Sequence, residues 1–249
     1  MPAEPIPGGR EFRRRHQTPR NAAQFLEDAV FKVEPLSAAD WREIDEMMSL
    51  RFSGFFVSAL MGAALPWRSL RHLAALSLFE LDPAIESIEV MPERVTLYAG
   101  GKPRKYVPHF RLRSGSSVTV ADVIRRGQED NPVRTRATAL LQEIYARRGI
   151  RYRALPEATV TAQPRLGNAR AVLGCRGFRP TQDAEMAVVE TLGQVRRHTV
   201  ASLAGCLPTI AHLKDTVFAL AARRVVRLDL GAPCHGDMTV ELLSWRGPQ

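Results

Sequence analysis

The sequence predicts an α/β chain in two parts: an α/β core built on a mixed sheet, then a smaller helical module that ends in a β-hairpin. Three observations carry that expectation. Helix-period and strand-period segments alternate through the first 160 residues. Pro and Gly crowd positions 156–180 and mark a linker. Beyond them, three helix-like segments precede two strand-like ones.

In chain order, residues 1–22 hold Pro, Gly and Arg13-Arg14-Arg15 without periodicity, and predict a disordered basic arm. The spacing over 21–48 predicts one or two short helices, one starting at Ser37 with an acidic first turn. Over 69–79, Leu70, Leu73, Leu76 and Phe79 share one helical face, and Asp82-Pro83 is a stop. Strand-like runs follow at 85–90, 94–98 and 105–113, with Ala99-Gly100-Gly101-Lys102 as a hairpin turn between the last two. The largely apolar run 118–124 predicts a strand buried on both faces. A helix over 133–148 ends at Gly149, and a short strand returns at 150–154. The α/β domain is therefore placed at 23–160, the linker at 161–180 and the second domain at 181–249. In that second domain Thr181 caps a helix over 183–196, a short helix spans 199–206, and Pro208-Thr209 opens a third running to Arg223. Strands at 225–230 and 238–243 flank the turn-rich 231–237. Three helices followed by a β-hairpin is the winged-helix pattern.

With 45% apolar residues, the 249-residue chain has enough material for a real core. Its 35 Lys+Arg against 26 Asp+Glu give a net charge of +9, nearly all of it carried by Arg. That balance favours a polyanionic partner, nucleic acid first, although a GC-rich genome also enriches Arg. Cys175, Cys206 and Cys234 are odd in number and lack CxxC spacing, which argues against a disulfide framework or a zinc site. The most apolar stretch, 55–67, is too short for a membrane span, and the N-terminus lacks a signal-peptide core. A soluble cytoplasmic protein without a membrane partner is expected.

The ordered segments Phe79-Glu80-Leu81-Asp82-Pro83-Ala84-Ile85, Val90-Met91-Pro92-Glu93-Arg94-Val95 and Tyr106-Val107-Pro108-His109-Phe110 resemble the N-terminal domain of TnsA-like transposon endonucleases. Ser58-Ala59-Leu60-Met61-Gly62 and Ser69-Leu70 fit upstream without gaps, and the winged helix also has a counterpart there. The resemblance covers about residues 54–245. It implies a restriction-endonuclease-like mixed sheet flanked by helices, followed by a C-terminal winged-helix domain. It also implies Mg²⁺-dependent phosphodiester hydrolysis, in which convergent carboxylates hold the ion and a lysine steadies developing charge.

The charged positions of that chemistry are replaced here. The helix Glu falls on His72 and the strand Asp on His109. The Glu-x-Lys strand falls on Asp122-Val123-Ile124, or one register earlier, leaving Asp122 as a shortened carboxylate and Ile124 in place of lysine. Met91 replaces a Gln, and Leu60 and Ala63 replace an upstream Lys and Arg. No catalytic residue is therefore expected, and no cofactor, with Mg²⁺ needed only if nuclease activity survives. A rewired metal site of His72, His109 and Asp122 is the alternative, since two imidazoles and a carboxylate suit a transition metal. Glu80, near its helix end, is expected to be a solvated surface group.

For DNA contact the sequence offers Arg104, Lys105, Arg111 and Arg113 on the hairpin strands, with Arg111 and Arg113 alternating onto one phosphate-facing stripe. The second domain offers His212, Lys214 and Arg223 on its third helix, with Arg224 and Arg227 at the base of the wing. That helix is poor in base-reading side chains. The expected function is a catalytically inactive, DNA-associated subunit of a transposition or related DNA-processing complex. The resemblance implies a transposase and an AAA+ ATPase regulator as partners. The rivals are an active metal-dependent endonuclease and a winged-helix transcription regulator.

Overall fold

The computed structural model describes residues 30–49, 52–98 and 103–243. The predicted arm at 1–22 and the hairpin turn at 99–102 lie outside them. The chain forms a mixed α/β structure with several small sheets and, among the described residues, eight α-helices.

A strand precedes the first helix, where the sequence predicts only helices: β1 (Val30–Glu34) pairs antiparallel with β5 (Arg94–Tyr98). Helix α1 (Ala38–Ser49) starts where expected, because Ser37 and Asp40 cap each other. The Ser37 N–H and hydroxyl donate to Asp40 Oδ2 at 2.9 and 2.6 Å, and Arg94 reaches Asp40 Oδ1 at 2.5 Å. Strands β2 (Gly54–Ser58) and β3 (Ala63–Trp67) make a two-stranded ribbon. Ser69 then caps α2 (Leu70–Leu81), its Oγ accepting the His72 N–H at 3.3 Å.

The central sheet has the order β4-β7-β8-β9, from β4 (Ser87–Val90), β7 (Phe110–Ser114), β8 (Ser117–Ile124) and β9 (Arg151–Pro156). The first three run antiparallel, whereas β8 and β9 are parallel, joined by the crossover helix α3 (Pro132–Ala146). Asn131 caps α3, and Gly149 at φ 68° ends its last turn as the sequence predicts. Residues 120–124 of β8 are all buried.

The predicted single strand over 105–113 breaks in two. Its first part, β6 (Arg104–Tyr106), joins β5 in the sheet β1-β5-β6, and its second part is β7 of the central sheet. Pro108 has no N–H to continue a ladder, so the chain changes sheets there.

Residues 161–180 also differ from the predicted linker. After the single turn α4 (Glu157–Val160) they contain α5 (Arg165–Gly174) and a 3₁₀ turn, Cys175–Gly177. Leu166, Ala169 and Val172 of α5 are buried, and Asn168 Nδ2 donates to the carbonyls of Leu230 and Ala232 at 2.9 Å each. Pro164 and Gly174 mark the two ends of this helix, where both residues are favourable, so breaker density misreads a packed helix as a linker.

The C-terminal part runs α6 (Gln182–Gln194), β10 (Arg197–Thr199), α7 (Val200–Cys206), α8 (Leu213–Ala222), β11 (Val226–Leu228) and β12 (Thr239–Leu242). Its antiparallel sheet has the order β10-β12-β11, so the predicted hairpin gains a third strand. Thr181 and Thr199 cap α6 and α7 through the N–H groups of Ala184 and Ser202.

The two parts share one packed body. Leu81 and Leu230 pack against the core around Leu76 and Phe110 and also against the core around Val217 and Phe218. Among the described residues no helix is long and apolar enough to cross a membrane.

Candidate functional site

Helix α2 and strands β7 and β8 bring His72, His109 and Asp122 together. His72 sits on the first turn of α2, and its ring centroid lies 4.0 Å from that of His109. His109 immediately precedes β7, the strand that pairs with β8, and Asp122 lies in β8. Both His72 and Asp122 are buried, at 1% and 0% exposure.

Both oxygens of Asp122 are engaged. Its Oδ2 accepts the Tyr106 hydroxyl and the Tyr152 hydroxyl, the latter at 2.5 Å. Its Oδ1 accepts the His109 N–H at 2.9 Å. Burial pushes the Asp122 carboxyl above its ordinary value, and these three donors only partly oppose that. The same burial, with Asp122 beside them, pushes both tyrosines far up and keeps them as neutral donors.

The imidazoles are neutral as well. His109 Nδ1 accepts the Val123 N–H at 2.9 Å, which places its proton on Nε2. The 3.5 Å approach of that Nδ1 to Asp122 Oδ1 is therefore not an ion pair. Burial first, then the neighbouring Arg68 and Arg71, hold His109 well below its ordinary value. Burial, His109 and the same two arginines do so for His72, whose buried Nδ1 has no partner. Arg134 of α3 lies 6.0 Å from the centroid of the Tyr106 ring and completes a cationic surround.

These groups do not fit the ion that the resemblance implies. A Mg²⁺ site needs several free oxygen donors at octahedral positions, and both oxygens of Asp122 are already engaged. The rewired transition-metal alternative fails on the same geometry, because Asp122 and His109 Nδ1 are in use and His109 Nε2 carries the proton, which leaves His72 alone. Among the described residues, no three His, Cys, Asp or Glu side chains are arranged to hold an ion. Ile124, at the lysine position, is buried opposite Pro156. What the cluster offers is a set of buried neutral side chains with the guanidinium groups of Arg68, Arg71 and Arg134 nearby.

Several residues expected at a DNA surface are engaged elsewhere. Arg111 donates to Glu89 at 2.8 Å and to the buried Glu93 at 2.6 Å, so it does not form a phosphate-facing stripe with the exposed Arg113. Arg104 and Lys105 are exposed, but on β6, in a different sheet. Arg223 pairs with Glu185 at 2.5 Å, and Arg227 pairs with Glu241. Lys214 and His212 are exposed and flank Asp215, at 3.5 and 3.8 Å. Residues 216–222 of α8 are all buried, and α5 and α6 pack over it, which leaves exposed polar side chains only at its first turn.

Arg224 is the clearest correction among these. Held at φ 62°, it sends its guanidinium across to the end of α2. There it donates to the carbonyls of Glu80, Asp82 and Pro83 at 3.1 Å each and of Ile85 at 2.6 Å. It is a strut between the two parts, with its guanidinium turned to the end of α2 rather than to a phosphate.

Glu80 is likewise not the solvated group expected. At 2% exposure its Oε1 accepts the N–H groups of Ala59 and Leu60 at 2.7 and 2.9 Å, and its Oε2 accepts the Ser58 hydroxyl at 2.6 Å. Sequence reading also misses Tyr106, Tyr152 and Arg134. Tyr106 stands within a segment that carries the resemblance, but Tyr152 becomes visible only once β9 is placed parallel to β8. A cleft of about 510 Å³ lies away from this cluster, between the end of α2 and β11, and is edged by Arg165, Arg197 and Arg227.

No protein-family model matches the chain, and no curated protein matches it.

Proposed function

We propose that the chain is a DNA-associated subunit with the body of a TnsA-type endonuclease and no cutting chemistry. On this reading the succession α2, β4, β7, β8, α3, β9 is a restriction-endonuclease-like core, and residues 181–243 are a winged helix. The observation that carries the reading is the convergence of His72, His109 and Asp122 on one point from one helix and two strands. Those are the three positions at which the resemblance expects metal-binding carboxylates. The single carboxylate that remains is sealed by two tyrosines and a backbone N–H, so it offers no seat for a catalytic cation.

DNA association rests on charge. The net +9 and the guanidinium groups of Arg68, Arg71 and Arg134 around the imidazole pair favour phosphate. Its place is as a structural partner of a transposase and an AAA+ ATPase regulator. The buried α8 disfavours the rival reading of a sequence-specific transcription regulator.

Incubation of supercoiled plasmid with the protein and Mg²⁺ or Mn²⁺ tests the reading. The expected result is no nicking, with DNA binding that falls steeply as salt rises. Nicking that disappears in the Asp122→Asn protein overturns it.

A further inference from the structure

We propose that the outward face of the β2–β3 ribbon is a stacking platform for the unpaired bases of single-stranded DNA. The proposal rests on the DNA-associated reading above and adds the form of DNA and the residues that grip it.

The ribbon has one face in the core and one in solvent. Phe56, Ser58, Leu65 and Trp67 point inward and are buried. Phe55 and Val57 point outward at 71% and 59% exposure, opposite Pro66 and Ala64. Phe52, just ahead of β2, is not part of that face: its ring lies 5.8 Å from that of the inward-pointing Trp67. An antiparallel pair with one face on a core ordinarily carries polar residues on the other. Here that face carries Phe, Val, Ala and Pro, and large apolar groups left in water call for an occupant.

The platform is braced from beneath. Gly54 lies so close to the Trp67 indole that an added Cβ would stand 2.8 Å from the ring. Arg176 donates to the Val57 carbonyl at 2.9 Å, and Glu80 holds the turn after β2 through the N–H groups of Ala59 and Leu60. A rigid exposed ring loses little freedom when a base stacks on it.

Charge selects the occupant. Between Glu46 and Glu80 the sequence has no Asp or Glu. Arg176 and Arg179, both exposed, stand beside β2. Phosphates therefore approach without like-charge repulsion while the Phe55 ring meets a base face. In an intact duplex the bases stack on one another and leave no face for Phe55, so an unpaired strand fits and a blunt duplex does not.

Fluorescence anisotropy with the full-length protein, a labelled oligothymidylate and a blunt duplex of the same length tests this. The oligothymidylate is expected to bind more tightly. Phe55→Ala is expected to weaken it by about tenfold, with duplex affinity and melting temperature unchanged and Phe55→Trp restoring binding. Equal losses on both DNAs, or no loss on either, overturn the proposal. Duplex binding without oligothymidylate binding also overturns it and leaves the DNA-associated reading standing, whereas binding to neither defeats both. A dimer in ultracentrifugation that Phe55→Ala dissociates, with DNA affinities unchanged, assigns the face to a second copy and overturns it as well.

Discussion

At the N-terminal end of α2, His72 lies uncharged against His109, in a pocket whose one carboxylate is sealed by tyrosines. At the other end of the same helix Glu80 is just as buried, yet its oxygens take three donors from the turn after β2. Arg224 adds a cation at the last carbonyls of α2, where the helix dipole favours one. The conspicuous charges therefore sit at the end that organises the fold, and the neutral groups sit where the resemblance expects chemistry. A search for acidic residues would find Glu80 and miss the distinction. What separates the two ends is where the donors come from. Backbone N–H groups fix a local turn, whereas side-chain hydroxyls from β6 and β9 close off a pocket.

Glu80→Ala tests that comparison with the largest expected effect. It strands two part-buried N–H groups and a buried hydroxyl, and each unpaired buried donor costs about 1–3 kcal/mol. A loss of roughly 3 kcal/mol in urea unfolding is expected, with the ribbon β2–β3 losing amide protection first. A loss under about 1 kcal/mol would place Glu80 in solvent and erase the contrast between the two ends.

Arg224 comes next. Arg224→Ala removes the contacts to four carbonyls and is expected to cost about 2 kcal/mol. Since residue 224 sits at φ 62°, Arg224→Gly should be less harmful than Arg224→Ala by about 1 kcal/mol. If alanine is instead the milder of the two, the left-handed backbone is not held there. Loss of the strut is also expected to split a single unfolding transition into two, because Arg224 ties the end of α2 to the C-terminal part.

Much of this was legible in the sequence and some was not, for physical reasons. The starts at Ser37 and Thr181 were legible because caps are local: each side chain accepts an N–H three residues on, as Ser69 and Thr199 also do. Whether His72, His109 and Asp122 converge depends on strand order and on where α2 packs, which the sequence left open. The roles of Tyr106, Tyr152, Arg111 and Arg224 depend on partners 16, 30, 18 and 139–144 residues away, and no local pattern carries that. Breakers at 156–180 misled because Pro and Gly mark helix ends as well as linkers. The burial of α8 had a visible signal. Its alanines, poor in base-reading groups, are what a helix packed on several sides requires.

The smallest expected effect concerns pH at the N-terminal end of α2. His72 and His109 stay neutral in the fold, while in the unfolded chain imidazoles take up protons below about pH 6.5. The unfolded state then binds more protons, so stability falls as pH drops from about 7 towards 5. Asp122 has the opposite sign. Its raised value lets the fold take up a proton before the unfolded chain does, which adds stability as pH falls towards the ordinary carboxyl range. His72→Phe removes one imidazole and keeps a ring beside Phe110, where His72 packs edge-on at 5.4 Å. The stability lost between pH 7.5 and 5.5 is then expected to shrink by about 1 kcal/mol, read from urea midpoints at the two pH values. An unchanged loss would mean that His72 titrates freely in the folded protein. The pocket would then be wet, and the contrast with the Glu80 end would reduce to one of partners rather than of charge.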